Sequence, residues 1–288
     1  MQDDYFVAAT NQASNSIVVF DPKYRDWNDP DAVVWSWKPR STNGFKSLVD
    51  AWSNPSDVKL RRSTDGEQFA IAVASGGLAL MVPYPAGNRK KWACNVGGNP
   101  HEIELLPDGN IAVASSTGGF VRLYTASVGP DSSTYDEYVL PGAHGVLWDP
   151  KRSYLWALGD EVLVALQISG KSSAPSLKEV YRKDLPSLYG HDLFSVTGDS
   201  NKMWVTTNTE VLLYDKAKGE WSSPAKERIN RGHVKGIGNQ PTGQVVQTTE
   251  GGISPWVTDT IDFFHPDEQR IVTNAAFYKA RLWYEDYE

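Results

Sequence analysis

The residues best suited to chemistry in this sequence are its histidines. Four of the five, His101, His144, His191 and His233, recur at a nearly constant spacing. They sit in similar segments: NPHEIEL from Asn99, GAHGVLW from Gly142, YGHDLFS from Tyr189 and RGHVKGI from Arg231. Two further segments, NPSDVKL from Asn54 and AFYKARL from Ala276, place Ser56 and Tyr278 in the same register. The intervals from Ser56 to Tyr278 are 45, 43, 47, 42 and 45 residues. Neutral imidazoles are ligands for divalent transition metals. The four histidines therefore read as a metal site, with Zn, Mn or Fe as the cation. The alternative is a repeat-consensus residue that hydrogen-bonds the next repeat or an ordered water. The fifth histidine, His265, lies off-register in IDFFHPDEQ and reads as a surface turn.

The neighbouring positions add candidates. Asp57, Glu102 and Asp192 follow the register position by one residue. Carboxylates there could orient imidazole N–H groups, or pair with other charges in a wet channel. Lys235 stands where the other segments carry an apolar residue. It reads as a base, a carboxylate-binding cation or a buried ion-pair partner. Tyr278 replaces a histidine, and its phenol suits general acid–base work or simple hydrogen-bonded filling. Guanidinium groups bind carboxylates bidentately, which makes Arg281 and Arg231 candidates for an anionic substrate. The assignment is Tyr278, Lys235 and Arg281 as catalytic, and Lys279 and Arg231 as substrate-binding.

These residues need a scaffold that brings a repeated position to one point. A period of about 40–45 residues is that of a four-stranded propeller blade. Each segment is followed by a turn, such as Pro107-Asp108-Gly109, and then by short alternating strands such as NIAVASS and FVRLYTA. No helical period appears. The chain reads as all-β, a single six-bladed β-propeller over residues 1–288. Residues 5–39 supply only three strands, YFVAATN, SIVVFDP and AVVWSWKP, and the missing inner strand is the C-terminal AFYKARLW. Such closure leaves no open sheet edge. The stretch from Arg40 to Asp50 reads as a loop; strands hidden there would make seven blades. First strands line the channel of a propeller, so the register residues should meet near one mouth.

Composition excludes several classes. The 288 residues carry 28 Lys and Arg against 35 Asp and Glu, a formal net charge of −7. An acidic chain without basic blocks argues against nucleic-acid and anionic-membrane partners. No apolar run approaches the roughly 20 residues of a membrane span. One cysteine, Cys94, allows neither an internal disulfide nor a cysteine-rich metal site. The opening MQDDYFVAAT lacks the basic and apolar regions of a signal peptide. Eleven tryptophans fill cores or stack on sugars. The Gly-rich stretches Ser75-Gly76-Gly77 and Thr117-Gly118-Gly119 precede no helix, so they are turns rather than phosphate loops.

The segments AWSNPSDVKLRR, GGNPHEIELLPDGNIAVASSTGG, LPGAHGVLWDP, YGHDL, IGNQPTGQVV and AAFYKARLW resemble the DUF6528 domain proteins over nearly the whole chain. That resemblance implies a secreted or surface-associated propeller and no particular activity. The histidine ring is also similar in architecture to propeller lyases that hold a metal through histidines of separate blades. The expectation is a metal-dependent carbohydrate-active enzyme, a lyase on uronate-containing glycan. Its cation would acidify the C–H beside a carboxylate. The protein would be a monomer with a carbohydrate as its partner. The alternative is a non-catalytic glycan-binding or interaction propeller with structural histidines. Iron redox chemistry at the ring is a third possibility.

Overall fold

A computed structural model describes residues 3–225, 227–251 and 254–287. Among these residues, six antiparallel four-stranded sheets surround a central channel. Blade 1 joins the C-terminal strand Phe277–Trp283 to Phe6–Asn11, Ser16–Phe20 and Val33–Trp37. In that closure Phe6 lies opposite Trp283, Val7 opposite Leu282 and Ala8 opposite Arg281. Blades 2 to 6 follow in order, with inner strands Pro55–Arg62, Pro100–Leu105, Gly145–Asp149, Asp192–Ser195 and Val234–Asn239. The expectation of six blades closed by the C-terminal strand is met.

Each blade is covered on both faces by its neighbours, which is why its inner strands read as nearly continuous apolar or small residues. Ile111–Ser115 and Gly145–Asp149 are buried throughout. Apolar burial at about 25 cal/mol per Å2 supplies the drive, and wedge-shaped contacts between adjacent sheets satisfy it. The stretch from Arg40 to Asp50 holds no strand. It forms 3-10 turns at Ser41–Asn43 and Lys46–Ala51. Phe45 is fully buried against Trp37, with ring centroids 5.7 Å apart, and Trp52 packs on the same Trp37. The loop is thus a hydrophobic wedge between blades 1 and 2.

One local device fixes where each inner strand enters the channel. Asn54, Asn99, Gly142, Tyr189 and His233 all adopt left-handed backbone, with φ of 53, 60, 62, 63 and 60°. Asn and Gly suit this region, where a β-carbon is penalised. Two residues further on come Ser56, His101, His144, His191 and Lys235. Ser56, His101 and Lys235 are each the extra residue of a β-bulge, skipped in the pairing with the blade's second strand. A bulge re-aims one side chain out of the sheet. The residue delivered to the channel in blade 6 is therefore Lys235, and His233 is the counterpart of Asn54 and Asn99.

Candidate functional site

The channel mouth is a pocket of about 480 Å3. Its floor is made by His101, His144, His191, Lys235 and Tyr278, each at or beside the start of one of five successive inner strands. The ring centroids of His101 and His144 are 4.6 Å apart with planes inclined by 29°, and those of His144 and His191 are 4.9 Å apart. The Tyr278 hydroxyl lies 2.9 Å from His101 Nδ1 and 3.0 Å from His191 Nε2. Lys235 Nζ lies 3.4 Å from the same His191 Nε2 and forms an ion pair with Glu250 at 2.9 Å. His144 Nδ1 lies 2.7 Å from the Gly142 carbonyl oxygen, so it carries the proton and donates.

The rim is polar and comes from the residues just after each blade's second strand. Ser75, Ser116, Asp160 and Asn208 line the pocket, with Gln12 from blade 1. Over them stand two aromatic side chains that solvent reaches freely, Tyr189 at 60% exposure and Trp256 at 62%. The Trp256 ring also covers Lys235, with Nζ 4.9 Å from its centroid.

The electrostatics keep the floor neutral. Burial first, then His144, Lys279 and Lys235, hold the His101 imidazole well below its ordinary range. Burial and Lys235 do the same to His191. Burial pulls His144 down to about 4 despite the opposing bond to Gly142. Burial, with Asp192 and Glu250, pushes the Tyr278 phenol well up. At neutral pH the floor thus offers three uncharged imidazoles and an intact phenol. Burial lowers Lys235, and the Glu250 carboxylate opposes that.

Below the floor the channel is filled by charge. Arg281 donates to Asp57 Oδ1 at 2.8 Å and to both oxygens of Asp192 at 2.8 and 2.7 Å. Lys279 pairs with Glu102 at 3.1 Å and Asp192 at 2.9 Å. Lys59 bridges Glu102 and Glu104, and Arg61 holds Glu104. Four cations meet four carboxylates, and all eight side chains are nearly or fully buried. Asp57 and Asp192 also accept the backbone N–H of Ile103 and Ile237 in the next blade. Burial raises Asp192, yet Arg281 and Lys279 bring it down to about 2.

Several expected roles change in this geometry. His101, His144, His191, Tyr278 and Lys235 converge. His233 does not: it is absent from the pocket lining, its side chain is 52% exposed, and its Nδ1 lies 2.8 Å from Glu250. The Gly-His-Val likeness places it two residues away from the one that faces the channel. Arg281 and Lys279 do not reach the pocket, because buried carboxylates consume their donors. Arg231 lies outside the funnel, bonded to Gln247 and Asp262. The carboxylates Asp57, Glu102 and Asp192 serve these cations and not the imidazoles. Sequence reasoning does not single out Tyr189 or Trp256. Tyr189 is legible only as a bulky residue at a left-handed position beside His191; Trp256 lies in an irregular segment with no repeat counterpart.

Comparison with known proteins agrees with this architecture. Residues 2–283 match a family described as a family of unknown function, DUF6528. The chain belongs to the DUF6528 family. No curated protein matches it. Among solved structures, a functionally unknown protein from Desulfotomaculum acetoxidans is similar at 14% identity, covering 99% of this chain and 90% of its own, with a TM-score of 0.56. A protein of unknown function from Bacteroides caccae is similar at 10% identity, covering 96% and 98%, with a TM-score of 0.60. At these identities the likeness shows the propeller fold alone.

In this DUF6528 chain the His101 and His144 rings stack, with planes inclined by 29°. Nitrogen lone pairs lie in the ring plane, and the near-parallel planes of His101 and His144 set theirs side by side. Among the described residues, no group of three or more His, Cys, Asp or Glu side chains is placed to hold a metal ion. What the floor offers is hydrogen-bonding capacity. Gly142 is the keystone of its geometry: with φ at 62°, a β-carbon there would fall 2.0 Å from the Asp160 carboxyl carbon. Gly142→Ala should cost about 1–3 kcal/mol from the strained backbone, plus displacement of Asp160. Thermal unfolding of the variant beside wild type measures it, and an unchanged midpoint would contradict this packing.

Proposed function

We propose that this protein is a saccharide-binding propeller whose ligand sits in the funnel over the histidine floor. The observation that carries the reading is the pocket's composition. Neutral imidazoles and a phenol lie at the bottom, amides and hydroxyls at the wall, and two exposed aromatic rings at the mouth. Sugars present hydroxyls to hydrogen-bonding groups and apolar faces to aromatic rings. The single lysine of the floor is already paired with Glu250, so the funnel holds little net positive charge for an anion. A monomeric protein at a secreted or surface location belongs to this reading.

A glycan array followed by titration calorimetry tests it. Trp256→Ala and Tyr189→Ala should each weaken the best ligand about ten-fold, the loss of one aromatic contact. Neither side chain is part of the core, so the fold should survive. Wild-type affinity in both variants would remove the funnel from consideration as the binding site.

The second reading is a metal-dependent lyase on uronate glycan. The cluster of His101, His144 and His191, with His101 and His191 bonded to Tyr278, favours it. There the imidazoles would hold Zn, Mn or Fe, which would polarise the substrate and lower the Tyr278 phenol so that its phenolate could take the proton, while Lys235 would hold the carboxylate. Arg281, Lys279 and Arg231 have no part in that version. Elemental analysis beside His144→Ala tests it: about one equivalent of metal in wild type and none in the variant would favour the lyase.

A further inference from the structure

The proton positions on the floor can be worked out from its neighbours, and they define what the ligand must present. The Gly142 carbonyl can only accept, so His144 carries its proton on Nδ1 and its Nε2 is a bare lone pair. The Tyr278 hydroxyl has one proton and lies between two ring nitrogens, so it donates to one and accepts from the other. The Lys235 ammonium, 3.4 Å from His191 Nε2, has only donors and decides which. The ammonium favours a bare His191 Nε2, to which Tyr278 donates, with the ring's proton on the buried, unpartnered Nδ1. His101 then donates from Nδ1 to the Tyr278 oxygen, which leaves its Nε2 bare as well. Neither His101 Nε2 nor His144 Nε2 has a partner among the described residues. The floor therefore ends in two stacked rings that present two acceptors and no donor.

We propose that this pair takes a vicinal diol of a neutral sugar, with adjacent hydroxyls donating to Nε2 of His101 and of His144. This rests on the saccharide reading and makes it specific. At these two rings a ligand carboxylate, acceptor-only, would meet two lone pairs, so the ring hydroxyls of an uncharged sugar suit them and a uronate carboxylate does not. Both histidines become specificity-determining residues.

The test uses the full chain with 15N-labelled histidine and long-range 1H–15N NMR at neutral pH. The result expected is an unprotonated Nε2 in both His101 and His144. A protonated Nε2 in either ring overturns the diol site, whether or not sugars bind. Methyl glycosides of mannose, galactose and glucose, with their 2-, 3- and 4-deoxy forms, are then titrated in. A glycoside that binds should move both Nε2 signals. Loss of one hydroxyl of the engaged pair should lower affinity about ten-fold, as should His144→Phe or His101→Phe, the effect of one hydrogen bond. Phe keeps the ring stack and removes the lone pair. Binding that is indifferent to every deoxy position and to both variants overturns the proposal while leaving the saccharide reading intact. Movement of both signals with Zn or Mn chloride but with no glycoside overturns the saccharide reading and the diol proposal together.

Discussion

Arg281→Met unfolds at a markedly lower denaturant concentration than wild type, with a loss of about 3–5 kcal/mol. Arg281 is 1% exposed and its donors reach Asp57, Asp192 and, at 3.2 Å, Glu102. Removing it leaves three buried carboxylates, Asp57, Glu102 and Asp192, facing Lys279 and Lys59 alone. Breaking a buried pair strands its partner, and that desolvated charge, more than the lost bond, is the cost. The network also ties strands of blades 1, 2, 3 and 5 to one another, since Arg281, Asp57, Glu102 and Asp192 come from different inner strands. Arg231→Met provides the contrast. Its pair with Asp262 is part-exposed rather than sealed in the channel, and such a pair contributes about 1 kcal/mol or less. Urea titrations of the two variants measure the difference. Equal losses would mean that the channel charges are not the keystone of ring closure.

Acidification from pH 6.5 to pH 4 is the second large effect. An imidazole has an ordinary value of 6.5, and His144 in the folded protein lies at about 4. Between those values the unfolded chain binds a proton that the folded chain refuses. Stability is therefore fully present above pH 6.5 and falls as the pH drops towards 4. A tenfold loss of proton affinity is worth about 1.4 kcal/mol, so the depression at His144 alone accounts for about 3 kcal/mol. His101 and His191 are lowered for the same reason, burial beside Lys235 and Lys279, and add in the same direction. Asp192 adds little in this window, because its contribution is lost mainly below its ordinary value of 3.8, as the unfolded carboxyl takes up a proton that the folded one, at about 2, refuses. Urea unfolding of wild type at pH 7 and pH 4.5 measures the slope, and His144→Phe should flatten it. A stability unchanged between the two pH values would contradict the neutral floor.

Most of the architecture is legible in the sequence because a propeller repeats. The recurrence of NPHEIEL-like segments, the three-stranded start and the spare C-terminal strand are enough to count six blades. The histidines of blades 3, 4 and 5 are legible for the same reason. Blade 6 misleads because its Gly-His-Val resembles the others by residue type, whereas the chain positions side chains by backbone conformation. His233 occupies the left-handed site that Asn54 and Asn99 fill, and the bulge then hands the channel to Lys235. With Lys235 in the ring, the last two intervals become 44 and 43 residues, more even than 42 and 45. The fate of Arg281 and Lys279 is not legible. Alternation places both near the channel, but only the facing strands show that carboxylates of three other blades have already claimed them. Trp256 lies on irregular backbone, where no period points to a site; Tyr189 holds the recurring left-handed position, but that repeat marks backbone geometry and not a ring facing the funnel.

Saccharide binding by chelator-stripped protein separates a neutral floor from a metal centre. Calorimetry would use the array's best ligand before and after exhaustive treatment with EDTA, with metal content checked at both stages. A neutral floor gives the same affinity in both states, because uncharged imidazoles and the aromatic rim do the binding. Binding that disappears with the metal and returns with it would contradict the neutral floor and place a cation among the histidines.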